Sequence, residues 1–137
     1  DAAYPIDGAG QTAYAVLDGS AGGWVPSTGA SLYETINEST YNDADYISSG
    51  VSPVQDECTV YLTGISKPNT GAVTINYRYR RWGSETTNIQ LCLCQGGFVV
   101  ETWTESAAPN AWTDGTHTVT GSIIMWGNLS LKFKANP

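Results

Sequence analysis

The feature that most constrains this chain is a two-residue alternation of apolar and polar side chains. It recurs from one short segment to the next, with almost nothing of helical period between. From Ala72 to Arg81, the residues Val73, Ile75, Tyr77 and Tyr79 alternate with Thr74, Asn76, Arg78 and Arg80. Successive side chains of a strand point to opposite faces, so this spacing makes one apolar and one polar face. Asn88–Gln95 repeats the pattern, with Ile89, Leu91 and Leu93 predicted inward and Asn88, Gln90, Cys92 and Cys94 outward. Gln95–Gly96–Gly97 then reads as a tight hairpin turn into Phe98–Glu105. Cys58–Ile65 places Cys58, Val60 and Leu62 on one face, and near the end Leu129, Leu131 and Phe133 alternate with Ser130, Lys132 and Lys134. Ala44–Ser48 and Thr116–Thr120 are weaker strand candidates.

Turn signals punctuate these segments, among them Pro26–Gly29, Gly50–Pro53, Pro68–Gly71 and Pro109–Asn110. The single helix signal is Ser31–Ser39, where Ser31 and Glu34 have capping-box spacing; Tyr33, Thr35 and Ile36 are weak helix formers, so a short turn is expected. Many short strands without crossover helices predict an all-β fold, an antiparallel two-sheet β-sandwich of jelly-roll-like type. Residues 1–22 are rich in Ala, Gly and Asp and lack periodicity, so they are expected to form an extended N-terminal arm, with Gly22 and Gly23 as a hinge. The sandwich domain is then expected over 23–137, and the chain's 137 residues fit one such domain.

Charged residues make up only 14% of the chain, so Ser, Thr, Asn, Gln and Tyr must cover most of the surface, as is common in extracellular and viral structural domains. Thirteen acids against six Lys and Arg give a net charge of −7, which disfavours nucleic acid as a partner. No apolar run approaches the roughly 20 residues that span a bilayer, so no membrane partner is expected. Cys58, Cys92 and Cys94 are an odd set, so at least one thiol has no partner in the chain. Cys-x-Cys is too wide along a strand for an unstrained disulfide and short of the usual metal-pair spacing, so free thiols are expected. A bridge from Cys58 to either of the other two stays open.

The order of several motifs carries a resemblance. Trp24 is followed by LYETINESTYNDADYI (Leu32–Ile47), VYLTGISKP (Val60–Pro68), VTINYRYR (Val73–Arg80), the LCLCQGGFVVETWT hairpin (Leu91–Thr104) and the closing NLSLKFKAN strand (Asn128–Asn136). This order, over about residues 24–136, resembles the β-sandwich domain of structural proteins of tailed bacteriophages and prophages. One departure is Gly121–Gly127 (GSIIMWG), short and apolar where that group has a longer segment before its last strand. The resemblance implies a virion structural protein on the exterior of a capsid or tail, as a capsid decoration, minor capsid or tail protein. Its partners would be the major capsid protein or other virion proteins. It also implies a homo-oligomer, a trimer being an arrangement that decoration proteins often adopt.

Neither a catalytic constellation nor a cofactor is expected. The one histidine, His117, reads as an exposed turn residue, and Asn42, Asp43 and Asp45 lack the Gly and Glu of a calcium loop, which leaves structural calcium as a minority reading. The expected partner-binding residues are Tyr4, Ile6, Tyr14 and Val16 on the arm, which can add a strand to a neighbour's sheet, and Arg78, Arg80 and Trp82 at the end of the Arg-rich strand. Trp103 is expected outward near Cys92, Cys94 and Arg80. The alternative function is a carbohydrate-binding module, with exposed Trp or Tyr rings stacking on sugars such as host glycans. Two or more coplanar rings on one solvent face would favour sugar; apolar surface along the arm and an edge would favour docking on a protein lattice.

Overall fold

The computed structural model describes residues 3–6, 13–36, 43–49, 56–65, 73–82 and 86–136. Its elements are β1 (Ala3–Ile6), β2 (Ala15–Asp18), β3 (Val25–Pro26), α1 (Leu32–Thr35), β4 (Ile47–Ser48), β5 (Asp56–Leu62), β6 (Thr74–Tyr79), β7 (Ile89–Gln95), β8 (Phe98–Glu105), β9 (Thr113–Thr118) and β10 (Leu129–Ala135). All pairings are antiparallel, and they form a five-stranded sheet β2-β5-β10-β7-β8, a three-stranded sheet β1-β6-β9 and the short pair β3-β4. The fold is an all-β sandwich.

Register explains the core. Phe133 lies opposite Cys58 on one side and Leu91 on the other, and Leu131 lies between Val60 and Leu93. These six side chains therefore share the inner face of the five-stranded sheet, and all are buried. Ile75 and Tyr77 of β6 join them from the three-stranded sheet, as the alternation of that strand predicts. The outer face of the five-stranded sheet carries Thr59, Lys132, Cys92 and Thr102 in one cross-strand row, and Tyr61, Ser130, Cys94 and Val99 in the next. Cys92 and Cys94 thus point away from the core, as the parity requires. They are nonetheless buried, because short side chains are overtopped by longer ones beside them. All three cysteines are free thiols, and Cys58 sits on the opposite face from the other two, so a bridge to either is closed off by the sheet itself.

The segment expected as a separate arm supplies strands instead. β1 pairs with β6, and β2 pairs with β5 as an edge of the large sheet. Ala13 and Ala15 are in the core, and Asp18 caps α1 by accepting from the backbone N–H groups of Leu32 and Tyr33, both at 2.8 Å. Gly22 is a packed turn with φ 55°, and a Cβ there would stand 2.2 Å from the Glu57 carbonyl oxygen. The sequence lacks alternation here because a register shift between Ala15 and Leu17 turns both Val16 and Leu17 to solvent. The expected single turn at Ser31 is found as α1, with the Ser31 hydroxyl bonded to Glu34.

Cross-strand packing within the three-stranded sheet leaves no room at Gly115, which lies directly opposite Tyr77. A Cβ added there would lie 2.3 Å from Tyr77 Cε2, and the Tyr77 ring is buried and held by its hydroxyl. Gly115→Ala should therefore lower stability by about 1–3 kcal/mol through overpacking. The urea midpoint would report this, and an unchanged midpoint would mean that the ring can move aside.

Candidate functional site

The three most exposed large apolar side chains among the described residues, Ile124, Phe98 and Val99, lie at one end of the five-stranded sheet, around the β7–β8 hairpin. Gly96 takes φ 56°, which closes the two-residue turn between Gln95 and Phe98. The Gln95 side chain then reaches across to the segment before β10. Its amide N–H donates to the Ser122 carbonyl at 3.1 Å, and its Oε1 accepts from the backbone N–H groups of Ile124 at 2.7 Å and Met125 at 3.0 Å. Gly96 N–H donates to the Asn128 carbonyl at 2.9 Å, and Asn128 N–H to the Met125 carbonyl at 3.0 Å. This clamp fixes two loops side by side. It holds Phe98 at 71% exposure and Ile124 at 81%, with Met125 against Gly96, while Val99, 60% exposed, points to the outer face beside Cys94. Side chains this apolar, kept in water by ordered backbone, are the usual mark of a contact surface.

Sequence reasoning missed Phe98, Val99, Ile124 and Met125. For Ile124 and Met125 the signal was the apolar GSIIMWG run, which has neither strand alternation nor helical period; its Ile123 and Trp126 pack against the core and leave the two residues between them exposed.

The predicted partner-binding residues are scattered. Val16, 46% exposed, and its neighbour Leu17 form a second apolar strip on the β2 edge, with Tyr61 opposite Leu17. Tyr14 is half-buried, and its backbone exchanges hydrogen bonds with Thr63. Tyr4 and Ile6 lie on β1 opposite Asn76 and Thr74, and their side chains are outside the described residues. Arg78 is tied into structure: Nε and Nη2 fork the Asp43 carboxylate at 2.8 and 3.0 Å, and Nη1 reaches Asp114 at 2.9 Å. The same contact occupies the Asp43 oxygens of the minority calcium reading, while Asp45 accepts from the Thr28 hydroxyl; Asn42 is outside the described residues. Among described residues no group of three or more His, Cys, Asp or Glu is placed to hold a metal ion.

Arg80 and Trp82 do come together. The Arg80 guanidinium lies 3.6 Å from the Trp82 ring centroid and 5.9 Å from that of Trp112, and it donates to the backbone and side-chain oxygens of Asn110. Tyr46 packs between the two indoles at 6.1 and 5.9 Å, tilted 45° from Trp82 and 55° from Trp112. The rings form a cluster around a cation, with Trp82 59% exposed, and not a coplanar platform.

Trp103 is not outward. Glu101, Trp103 and Glu105 do share a face of β8, but that face meets β6 and β9 of the other sheet. Trp103 stacks on His117 at 3.9 Å between centroids and 2° between planes, and its Nε1–H donates to the Tyr77 hydroxyl at 3.2 Å. His117 is therefore a strand residue between the sheets, bonded to Glu101 through Nε2. The other Glu101 oxygen accepts from Thr120 N–H, Thr120 hydroxyl and Gly121 N–H at 2.7–3.2 Å. Glu105 accepts from the hydroxyls of Tyr77 and Tyr79, and burial first, with this carboxylate second, pushes the Tyr77 phenol up. Both carboxylates are committed to holding the sheets together.

Partial burial pushes the Glu101 carboxyl up, but the bonds from His117, Gly121 and Thr120 outweigh it and hold the group below its ordinary range. A carboxyl lowered in the folded state stabilises fully above its unfolded value of about 4.3, and that contribution is lost as pH falls through the folded value. Glu101→Gln should therefore be destabilised at pH 7 and should show a shallower loss of stability between about pH 5 and 3. Urea midpoints across that window measure it, and parallel curves for both proteins would refute the assignment.

No protein family model matches the chain, nor does any characterised protein or solved structure.

Proposed function

We propose that the chain is a binding protein that docks on a protein lattice, as a virion structural protein of the kind its motif order resembles. The observation that carries the reading is the hairpin-end patch, in which Gln95 holds Phe98 and Ile124 in solvent at 71% and 81% exposure. Burying such side chains is worth about 25 cal/mol per Å², and aromatic anchors dominate binding energy at protein interfaces. The β2 edge strip of Val16 and Leu17 offers a second contact on an edge strand of the described sheet. Two modest contacts repeated over a lattice bind tightly by avidity. The reading places the protein on the exterior of a capsid or tail, against the major capsid or another virion protein, with neighbouring copies as further partners.

Electron microscopy of particles purified from the native source tests this. Regular density for the chain on a capsid or tail, with the hairpin end at the contact, is the expected result. A free chain with no lattice would end the proposal.

A second reading, a carbohydrate-binding module, is favoured by one observation: Trp82 is widely exposed and braced from behind by Arg80. Trp82 is the one exposed ring of its cluster among the described residues, where stacking modules present several. Binding on a glycan array that disappears in Trp82→Ala would support it.

A further inference from the structure

The two outward cysteines come closer than strand geometry alone provides. Residues two apart on a strand are about 6.5 Å apart at Cα, yet the Cys92 and Cys94 sulfurs stand 3.4 Å from each other, both as free thiols. Across β10, Lys132 lies opposite Cys92 and Ser130 opposite Cys94. A groove of about 280 Å³ opens beside the pair; Cys94 lines it, with Ser130, Lys132, Thr59, Tyr61 and Val99, while Cys92 lies just behind. The pair is a buried, convergent dithiol reached from the groove through Cys94, with the Lys132 ammonium alongside and the Glu57 carboxylate 4.0 Å from that ammonium.

We propose that Cys92 and Cys94 form a two-thiolate site for a monovalent soft cation, Cu⁺. Soft thiolates select such ions. A structural zinc site takes four protein ligands, and among the described residues no third His, Cys, Asp or Glu joins the pair, so the ion must accept few ligands. With metal–sulfur bonds of about 2.3 Å, a 3.4 Å sulfur separation corresponds to an angle of roughly 95° at the ion. Two-coordinate Cu⁺ favours a wider angle, so binding requires the two sulfurs to move apart. Charge fits as well. Two thiolates and Cu⁺ leave one negative charge; the Lys132 ammonium opposite Cys92 offsets it, while Lys134, 3.6 Å from Glu57, takes up the carboxylate that Lys132 also approaches at 4.0 Å. Binding expels two thiol protons, one from each sulfur, and involves no change of oxidation state. Burial and the neighbouring Cys94 thiol push Cys92 up to about 12, with Lys132 pulling the other way, so without metal the Cys92 proton stays on near neutral pH. Affinity should therefore rise with pH.

The test is an anaerobic titration of the reduced chain with Cu⁺ held by a coloured chelator. The chain should remove one equivalent, with copper–sulfur bonds visible by X-ray absorption. Cys92→Ser and Cys94→Ser should each lose the site while keeping the circular dichroism of the parent. Cys58→Ala, changed on the opposite face, should keep it. Lys132→Ala should weaken it by about tenfold, as loss of a neighbouring charge typically does. Copper left wholly with the chelator, or binding that survives both serine variants, would overturn the proposal.

Discussion

Replacing Leu131 with alanine is expected to lower the free energy of unfolding by about 3–4 kcal/mol, the middle of the range for buried leucines. Leu131 is completely buried on β10, the middle strand of the five, with Val60 and Leu93 directly beside it in register and Ile75 and Tyr77 in the same cluster. A hole there is walled on both sides by backbone ladders, which limits collapse. A small domain is stable by only 5–15 kcal/mol, so the loss should appear as a large drop in the urea midpoint at constant slope. Leu17→Ala is the control. That leucine is 57% exposed at the β2 edge, and its loss should shift stability by about 0.5 kcal/mol or less. Equal effects at the two sites would mean that the core has been assigned to the wrong face.

The second large effect concerns docking. Phe98→Asp combined with Ile124→Asp should reduce retention on the particle by a hundredfold or more, since two interface anchors at about 2 kcal/mol each amount to about a thousandfold before avidity. Both side chains are mostly in solvent, so the free chain should unfold within about 0.5 kcal/mol of the parent. Co-sedimentation with particles stripped of the chain, beside a urea curve of the free variant, separates the two. Retention at the parental level would remove the hairpin end from the interface. Loss of binding along with loss of stability would trace the effect to the fold.

What could be read from the sequence follows the range of the interactions. β6, β7 and β10 were legible because each buries one face along an unbroken period of two. The residues that cap, clamp and connect were not, because their partners are distant. Asp18 caps a helix turn fourteen residues on, Gln95 binds backbone about thirty residues on, and Glu101 meets His117 across the gap between sheets. Alternation placed Trp103 on the right face of β8 but could not say what that face meets. Cys92 and Cys94 were assigned the outward side correctly, while their burial depends on neighbouring strands that lie far away in sequence. The resemblance stands on motif order alone, and it guides the proposed function without support from any related protein.

The strand order has a consequence for synthesis. β10 lies between β5 and β7, yet it is the last strand of the described chain to leave the ribosome. Until residues 129–135 emerge, β5 and the β7–β8 hairpin can each bury their apolar faces but cannot join, and both carry an open edge. Pairing of this kind closes long loops and is slow. The nascent chain is therefore exposed to wrong edge-to-edge association from the synthesis of β5 until that of β10, and a single late insertion both joins the halves of the large sheet and seals those two edges.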